Sequence, residues 1–530
     1  MIRVVSMPGH HGGVVATPHT LSTRAGIEIL QAGGNAVDAA IAACAVQGVV
    51  APETCGIGGD LFALVHRPGD AAPLALNASG RAGSGVDAAA LRAAGHTEIP
   101  RGHPGAIPVP GCVDGWDALS SRLGRLGLAA SLAPAIRLAE EGFPANDELV
   151  AAFRSSAAEL AGVEAAAPLL RASRGSTIVR SQLAATLRLV ADGGRAAFYE
   201  GPPGAAISAA VDGVITTSDL ERSQADWVVP VSASAWGVTG WTVPPNSQGY
   251  LAVGGAAVLE RLGWTDDPGD PRSWHLQIEA HRALAAGRDS VVVDPGRVPV
   301  DAGRLLDPAR LDAVAASVDP SAARDLYAPA GAAGGTAYLC VVDGAGLAVS
   351  LIQSNFHGIG ALVGAGSAGF LLHDRGRGFS LLEGHPGELG PGRRPLHTLS
   401  PTLWTRDERL ALVLGTRGGH VQPQLVQQVA AFVLGAGLDP DEAQARPRWT
   451  VEPAPTPPGA PVPSGWRVRV EPDVPARVVD GLRRRGHQVV PADGPQSGWG
   501  PVSVIQVDEA AGWRLSARDP RVATTAVATA

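Results

Sequence analysis

The 530-residue chain contains no lysine, so all 42 of its basic residues are arginine. That absence excludes every mechanism that needs a lysine amine: Schiff-base catalysis, P-loop phosphate binding and Ser-Lys hydrolysis. Cysteine is scarce as well. Cys44, Cys55, Cys112 and Cys340 lie far apart among apolar or glycine neighbours, a spacing that fits neither a zinc motif nor a disulfide framework and reads as buried free thiols. Long apolar runs are missing. The longest, residues 39–51, is too short to cross a bilayer, and Pro8, Gly9, Gly12 and Gly13 interrupt the N-terminal stretch before a signal-peptide core can form. A formal net charge of -8 removes the basic face that nucleic acid or an anionic membrane would require. These absences lead us to expect a cytoplasmic protein with neither nucleic acid nor membrane as partner.

What is present is a globular composition, with 45% apolar residues, 17% charged residues, 68 Gly and 43 Pro. The first third reads as helical. TRAGIEILQAGG forms a short helix stopped by Gly33 and Gly34, and Asn35 caps a second, apolar one, AVDAAIAACAVQGVV. LFALVH and PLALN follow as strands. SLAPAIRLAEEG and PANDELVAAFRSSAAEL read as amphipathic helices, and residues 248–262 and 274–288 as two more. From residue 336 the runs TAYLCVVD, LAVSLIQS and RLALVLGT are apolar on both parities, the pattern of strands covered on both faces. VQPQLVQQVAAFVLGAG is expected to be helical, and WRVRVEP, VPARVVDGLRRRG, SVIQVDE and WRLSAR give further strands with one helix. Two packed sheets with helices outside account for this order. The proline-rich residues 453–465 are either an inserted surface loop or a linker.

One residue stands out in GAAGGTAYLCVVDGAGLAVSLIQS, residues 331–354: the Thr between a glycine pair and a buried strand. A Thr hydroxyl is a weak nucleophile unless a base lies beside it. Its own α-amine would serve if the preceding peptide bond were cut, because such an amine titrates near 8. Gly334 and Gly335 would permit unusual backbone conformations and leave the Gly335 carbonyl open to attack by Thr336. On local pattern alone, a Thr after two glycines is usually a turn residue.

The surroundings carry more. AGIEILQAGGNAVDAAIAACAVQGVVAPETCGIGGDLFALV, IPVPGCVDGWDAL, LAPAIRLAEEGFP, VPPNSQGYL, GGTAYLCVVDGAGLAVSLIQSN, PGRRPLHTLSPTL and LGTRGGHVQPQLVQQV together resemble the γ-glutamyltranspeptidase family of N-terminal nucleophile hydrolases, in order and spacing along nearly the whole chain. The resemblance implies an α+β fold, a four-layer αββα sandwich formed as a single large domain. It implies autocatalytic cleavage between Gly335 and Thr336, giving a larger part, residues 1–335, and a smaller part, residues 336–530, that stay together as a heterodimer open to further oligomerisation. It implies Thr336 as nucleophile, Ser354 as the hydroxyl that orients it, Asn355 as a substrate contact and Gly418 with Gly419 as the oxyanion hole. It implies a small-molecule amide or peptide substrate and no metal or organic cofactor.

The sequence also departs from that family's pattern. Ser79 stands where glutathione-cleaving members carry an Arg for the glutamyl α-carboxylate. Arg81, two residues on, would be displaced by ~6–7 Å along a strand, too far for a bidentate clamp. Gly378 stands where an Asp receives the α-amine, and His397 with Thr398 replace a serine pair. All three changes remove recognition of an amino-acid head group, which points to an amide hydrolase with an altered, acylase-like acyl site. Arg375 and Arg377 either receive a carboxylate or lie on a solvated loop. The alternatives are a glutathione-type hydrolase or transpeptidase, and an inactive scaffold. GAGSAG at 364–369 lacks the following helix of a dinucleotide site. His275, Glu279 and His281 lack a further converging metal ligand. Ser350 with His397 lacks a nucleophile elbow, and His397 as a general base in the Thr336 site is a weaker reading.

Overall fold

A computed structural model describes residues 3–6, 12–324, 335–454, 465–494, 496–508 and 510–530. Gly334 and most of the proline-rich stretch, residues 455–464, lie outside the described residues.

Two seven-stranded antiparallel sheets form the centre. Edge to edge, one consists of Ala526–Thr529, Val14–Thr17, Gly335–Val342, Ala348–Phe356, Asp60–His66, Leu74–Ala78 and Asp226–Val228. The other consists of Arg3–Ser6, Trp513–Ala517, Val502–Asp508, Arg409–Thr416, Thr402–Arg406, Val238–Thr242 and Val231–Ala235. Alternation along the strands sorts their side chains into layers. In Gly335–Val342, Leu339 and Val341 join the core beneath the helices, whereas Tyr338, Cys340 and Val342 join the core between the sheets with Leu403, Val413 and Ile505. Each fully buried Val or Leu contributes about 1.5–3 kcal/mol.

Helices cover both outer faces, which completes an αββα sandwich. The helix Ala36–Val50 is buried along its whole length because it lies between Gly335–Val342 and Ala348–Phe356 on one side and further helices on the other. The expected cap is present as a capping box: Asn35 accepts from the Asp38 N–H, and Asp38 accepts from the Asn35 N–H. Such a cap stabilises a helix start by about 1 kcal/mol. The Ala36 N–H also donates to Asp343 Oδ2 (3.0 Å), tying the helix start to the residue that follows Val342. Tyr250–Arg261 and Gln422–Ala430 cover the other sheet.

The predicted strands at 60, 74, 336, 348, 409, 502 and 513 are all present. The helix at 147 is shorter than expected, ending at Ser155. WRVRVEP belongs elsewhere. Trp466–Val470 pairs with Trp449–Pro453 and Val489–Pro491 in a separate small sheet packed on the helices Pro271–Ala285 and Ala476–Arg484.

Candidate active site

Thr336 is the second residue of its strand and points with Tyr338 into the space between the sheets, where it is buried. Its cross-strand partner is Ser354, and the two hydroxyl oxygens are 3.1 Å apart. The Ser354 hydroxyl donates to the Gly335 carbonyl oxygen (2.6 Å) and accepts from the Phe356 N–H (2.8 Å). With its one proton committed to Gly335, Ser354 receives the Thr336 hydroxyl proton as an acceptor. One serine therefore touches both the Thr336 hydroxyl and the Gly335 carbonyl.

The pairing register shifts between Gly335 and Thr336, because Gly335 pairs with Phe356 and Thr336 with Ser354, leaving Asn355 as the extra residue of a bulge. Gly335 is required for a reason other than the expected one. Its φ is not positive; instead, a Cβ there would lie 2.5–2.8 Å from the backbone of Gly358. Phe356, by contrast, takes φ +75°, a strained value for a residue with a side chain. Asn355 turns its amide toward the loop 51–59, with Nδ2 3.5 Å from the Pro52 carbonyl oxygen and Oδ1 buried without a partner among the described residues.

Phe356 links the Thr336–Ser354 pair to the other candidate residues. Arg375 stacks on its ring with Cζ 3.7 Å from the centroid, and His420 meets the ring edge-on at 6.3 Å. Arg375 Nη1 donates to Thr398 Oγ1 (3.2 Å). Gln248 Nε2 donates to the carbonyls of Thr398 and Gly419, both at 3.2 Å, and Arg288 Nη1 holds Gln248 Oε1 (2.9 Å) and His420 Nδ1 (2.7 Å). Burial first, then Arg288 and Arg375, push the His420 pKa well down, so the ring is a neutral acceptor. Gly419, and with it the Gly418–Gly419 turn, thus reaches the same cluster. Gly418 has φ +132° and Gly419 φ +58°, and they lead through a 3-10 turn into Gln422–Ala430, aiming the start of a helix at the cleft.

Arg375 is not on a solvated loop. It is 1% exposed, and burial lowers its pKa to about 9 while Asp60 and Asp374 oppose the shift, so the guanidinium stays charged at neutral pH. Arg377 is half-buried, donates to the Ile99 carbonyl and faces Asp374 and Glu98.

Around Ser79 the hydrogen bonds join neutral side chains. The Ser79 hydroxyl donates to Asn77 Oδ1 (2.7 Å) and accepts from Asn246 Nδ2 (3.2 Å), in a buried amide network that includes the Asn77–Asn246 bond (2.9 Å). Arg81 turns away from that network, pairing with Asp226 (2.7 Å) and donating to the Ser223 carbonyl. Gly378 abuts the Leu396 carbonyl, and a Cβ would come within 2.7 Å of that oxygen. His397 is not free to act as a base: Nε2 donates to Asp60 Oδ2 (3.0 Å), and Nδ1 accepts from the Leu399 N–H (3.3 Å). Burial, with Arg375 nearby, drives its pKa down to about 3 against the pull of Asp60. Asp60 stays ionised: burial raises its pKa, but His373, His397 and the Gly80 N–H outweigh that and hold it at about 2.

Asp60, Phe356, Gln248 and Arg288 went unnoticed in the sequence. Asp60 had a visible signal, a carboxylate opening a strand expected to be buried, since such a charge demands dedicated partners. Among the described residues no group of three or more His, Cys, Asp or Glu could hold a metal.

The sequence profile described as Gamma-glutamyltranspeptidase matches residues 22–529. A glutathione hydrolase-like YwrD proenzyme of Bacillus subtilis is 34% identical over 523 residues, covering 96% of this chain and 97% of that protein. An oxamate amidohydrolase proenzyme of Klebsiella pneumoniae is 36% identical over 464 residues, covering 83% of this chain and 85% of that protein. The crystal structure of a cephalosporin acylase from Bacillus halodurans superposes with a TM-score of 0.89 at 31% identity, over 100% of this chain and 97% of that one. With its αββα layers and a hydroxyl pair at the head of a central strand, this chain is a member of the gamma-glutamyltranspeptidase family, whose relatives hydrolyse amides with differing acyl specificity.

Proposed function

We propose that the chain cuts itself between Gly335 and Thr336 and then hydrolyses amides through a threonyl acyl-enzyme. The observation that carries this reading is Ser354 bridging the Gly335 carbonyl oxygen and the Thr336 hydroxyl. In the first phase Thr336 Oγ1 attacks the Gly335 carbonyl carbon and its proton passes through Ser354. The C–N bond then breaks, the Thr336 nitrogen takes the proton, and water hydrolyses the resulting ester to free the Gly335 carboxylate. Thr336 is left with a primary amine that titrates near 8, able to accept its hydroxyl proton during turnover.

In turnover the hydroxyl adds to an amide carbonyl, and the backbone N–H groups of Gly418 and Gly419 stabilise the oxyanion. The α-amine returns its proton to the departing amine, and water, or an amino acceptor, releases the acyl group. The parts before and after the cut, residues 1–335 and 336–530, contribute strands to both sheets, so they remain one folded body. An inactive scaffold is disfavoured because binding alone has no use for the hydroxyl pair or the two positive-φ glycines.

The neutral network at Ser79 and the absence of a carboxylate at Gly378 argue for an acyl group other than γ-glutamyl, despite the glutathione in the name of the B. subtilis relative. A buried zwitterion without partners for both charges costs several kcal/mol. The Klebsiella relative's name points the same way, because oxamate bears a carboxylate but no α-amine. The test is a panel of p-nitroanilides on the processed protein. Simple acyl anilides should be cleaved faster than γ-glutamyl-p-nitroanilide; equal rates overturn the altered specificity.

A further inference from the structure

Arg375 is over-supplied with donors for a structural role. Its Nη1 is bonded to Thr398 and its flat face covers Phe356, yet Nη2, equally buried, has no hydrogen-bond partner among the described residues. An unsatisfied buried donor on a charged group destabilises the site until an acceptor arrives. The carboxylates that influence Arg375 are committed elsewhere. Asp60 is held by His397 and by the N–H groups of Gly80 (2.8 Å) and Gly111 (3.3 Å). Asp374 is held by the N–H (3.0 Å) and Nδ1 (2.9 Å) of His357. Neither carboxylate forms an ion pair within 4.0 Å of the Arg375 guanidinium among the described residues.

Two other cations of this cluster are occupied. Arg288 is shared by Asp289, Gln248 and His420, and Arg377 by Ile99, Asp374 and Glu98. The place of the spare donor matters as much as its existence. Phe356, on which Arg375 lies, pairs with Gly335 and bonds Ser354, so the guanidinium stands one ring away from the carbonyl that Thr336 attacks.

We propose that Arg375 anchors a carboxylate carried on the acyl part of the substrate, so that the preferred substrates are mono-amides of short dicarboxylic acids, from oxalyl to glutaryl. This rests on the reading of Thr336 as the nucleophile and deepens it. Arg375 would occupy the role of a head-group cation from a different element than the one holding Ser79. Gly378, in the same turn as Arg375, adds no carboxylate, so the site takes the acid group without an α-amine.

The experiment compares oxalyl, succinyl and glutaryl p-nitroanilides with counterparts in which a carboxamide replaces the carboxylate, on the processed full-length protein. The expected result is a kcat/KM at least about 100-fold higher for one or more of the carboxylates, as for loss of a buried charge partner. In Arg375→Met that ratio should fall toward unity through KM, and Arg375→Lys should recover part of it. A ratio near unity in the unaltered protein, or a large ratio that survives Arg375→Met, overturns the proposal. Should no anilide be cleaved, the nucleophile reading has failed; the anchor is then decided by binding. Succinate or glutarate should raise the Tm of Thr336→Ala and not that of the Thr336→Ala, Arg375→Met double variant. No rise in either rejects the anchor.

Discussion

The two walls of the cleft are built on different principles. Around Thr336, side chains are few and backbone does the work: a hydroxyl pair, a bulge, a glycine pressed against Gly358 and two glycines with positive φ. Around Ser79 and His397, side chains are many and each is satisfied by another: Asn77 with Asn246, Asp60 with His397, Arg81 with Asp226. The first wall brings the Thr336 hydroxyl and the Gly335 carbonyl onto one serine, Ser354. The second is closed by these bonds, whereas Arg375, stacked on Phe356, keeps Nη2 without a partner among the described residues.

The sharpest break on the reactive wall is Thr336→Ala. It should leave the chain uncut and lower amide turnover by a factor of about 10³ or more, while Thr336→Ser retains cleavage, as gel mobility and an anilide assay would report. Gly418→Ala comes next. A side chain at φ +132°, with Cβ 3.1–3.3 Å from Val421, Leu425 and the Gly498 carbonyl, displaces the loop. Loss of a well-placed oxyanion donor lowers kcat about 10²–10³-fold with KM little changed, measurable in steady-state kinetics. Ser354→Ala removes the proton acceptor but not the nucleophile, so self-cleavage should slow by about 10²-fold rather than stop, as a time course of the uncut fraction would show.

The smallest effect concerns stability. Glu53 lies in the loop 51–59 that backs the reactive wall. Burial, joined by Glu148, raises its pKa from 4.5 to about 8 against the pull of Arg417 and Arg180. The folded state therefore keeps a proton that the unfolded chain gives up. This contribution is complete below pH 4.5 and is lost as pH rises toward 8. Glu53→Gln should raise Tm more at pH 8 than at pH 5, with a gain on the order of a few kcal/mol at the higher pH. A gain independent of pH would assign Glu53 a different role.

The layers were legible in the sequence because they rest on periodicity. TAYLCVVD and RLALVLGT are apolar on both parities, and both proved to be central strands covered on each face. Asn35 as a cap was legible for the same local reason. Val231–Ala235, Val238–Thr242 and Thr402–Arg406 escaped notice because they are short, mix apolar with polar or small residues and owe their place to neighbours distant in sequence. The Thr336–Ser354 pair could be anticipated, since both lie on strands of one hairpin. The state of Arg375 could not. Its burial comes from the meeting of Phe356, Thr398 and its own turn, and nothing in HDRGRGF distinguishes a covered arginine from a solvated one.

The most direct measurement is the intact mass and N-terminal sequence of the purified, folded protein. Two polypeptides that co-purify are expected, the smaller beginning Thr-Ala-Tyr-Leu at residue 336. A single uncut chain that nonetheless hydrolyses amides would contradict it, because Thr336 would then lack the amine on which its reactivity depends.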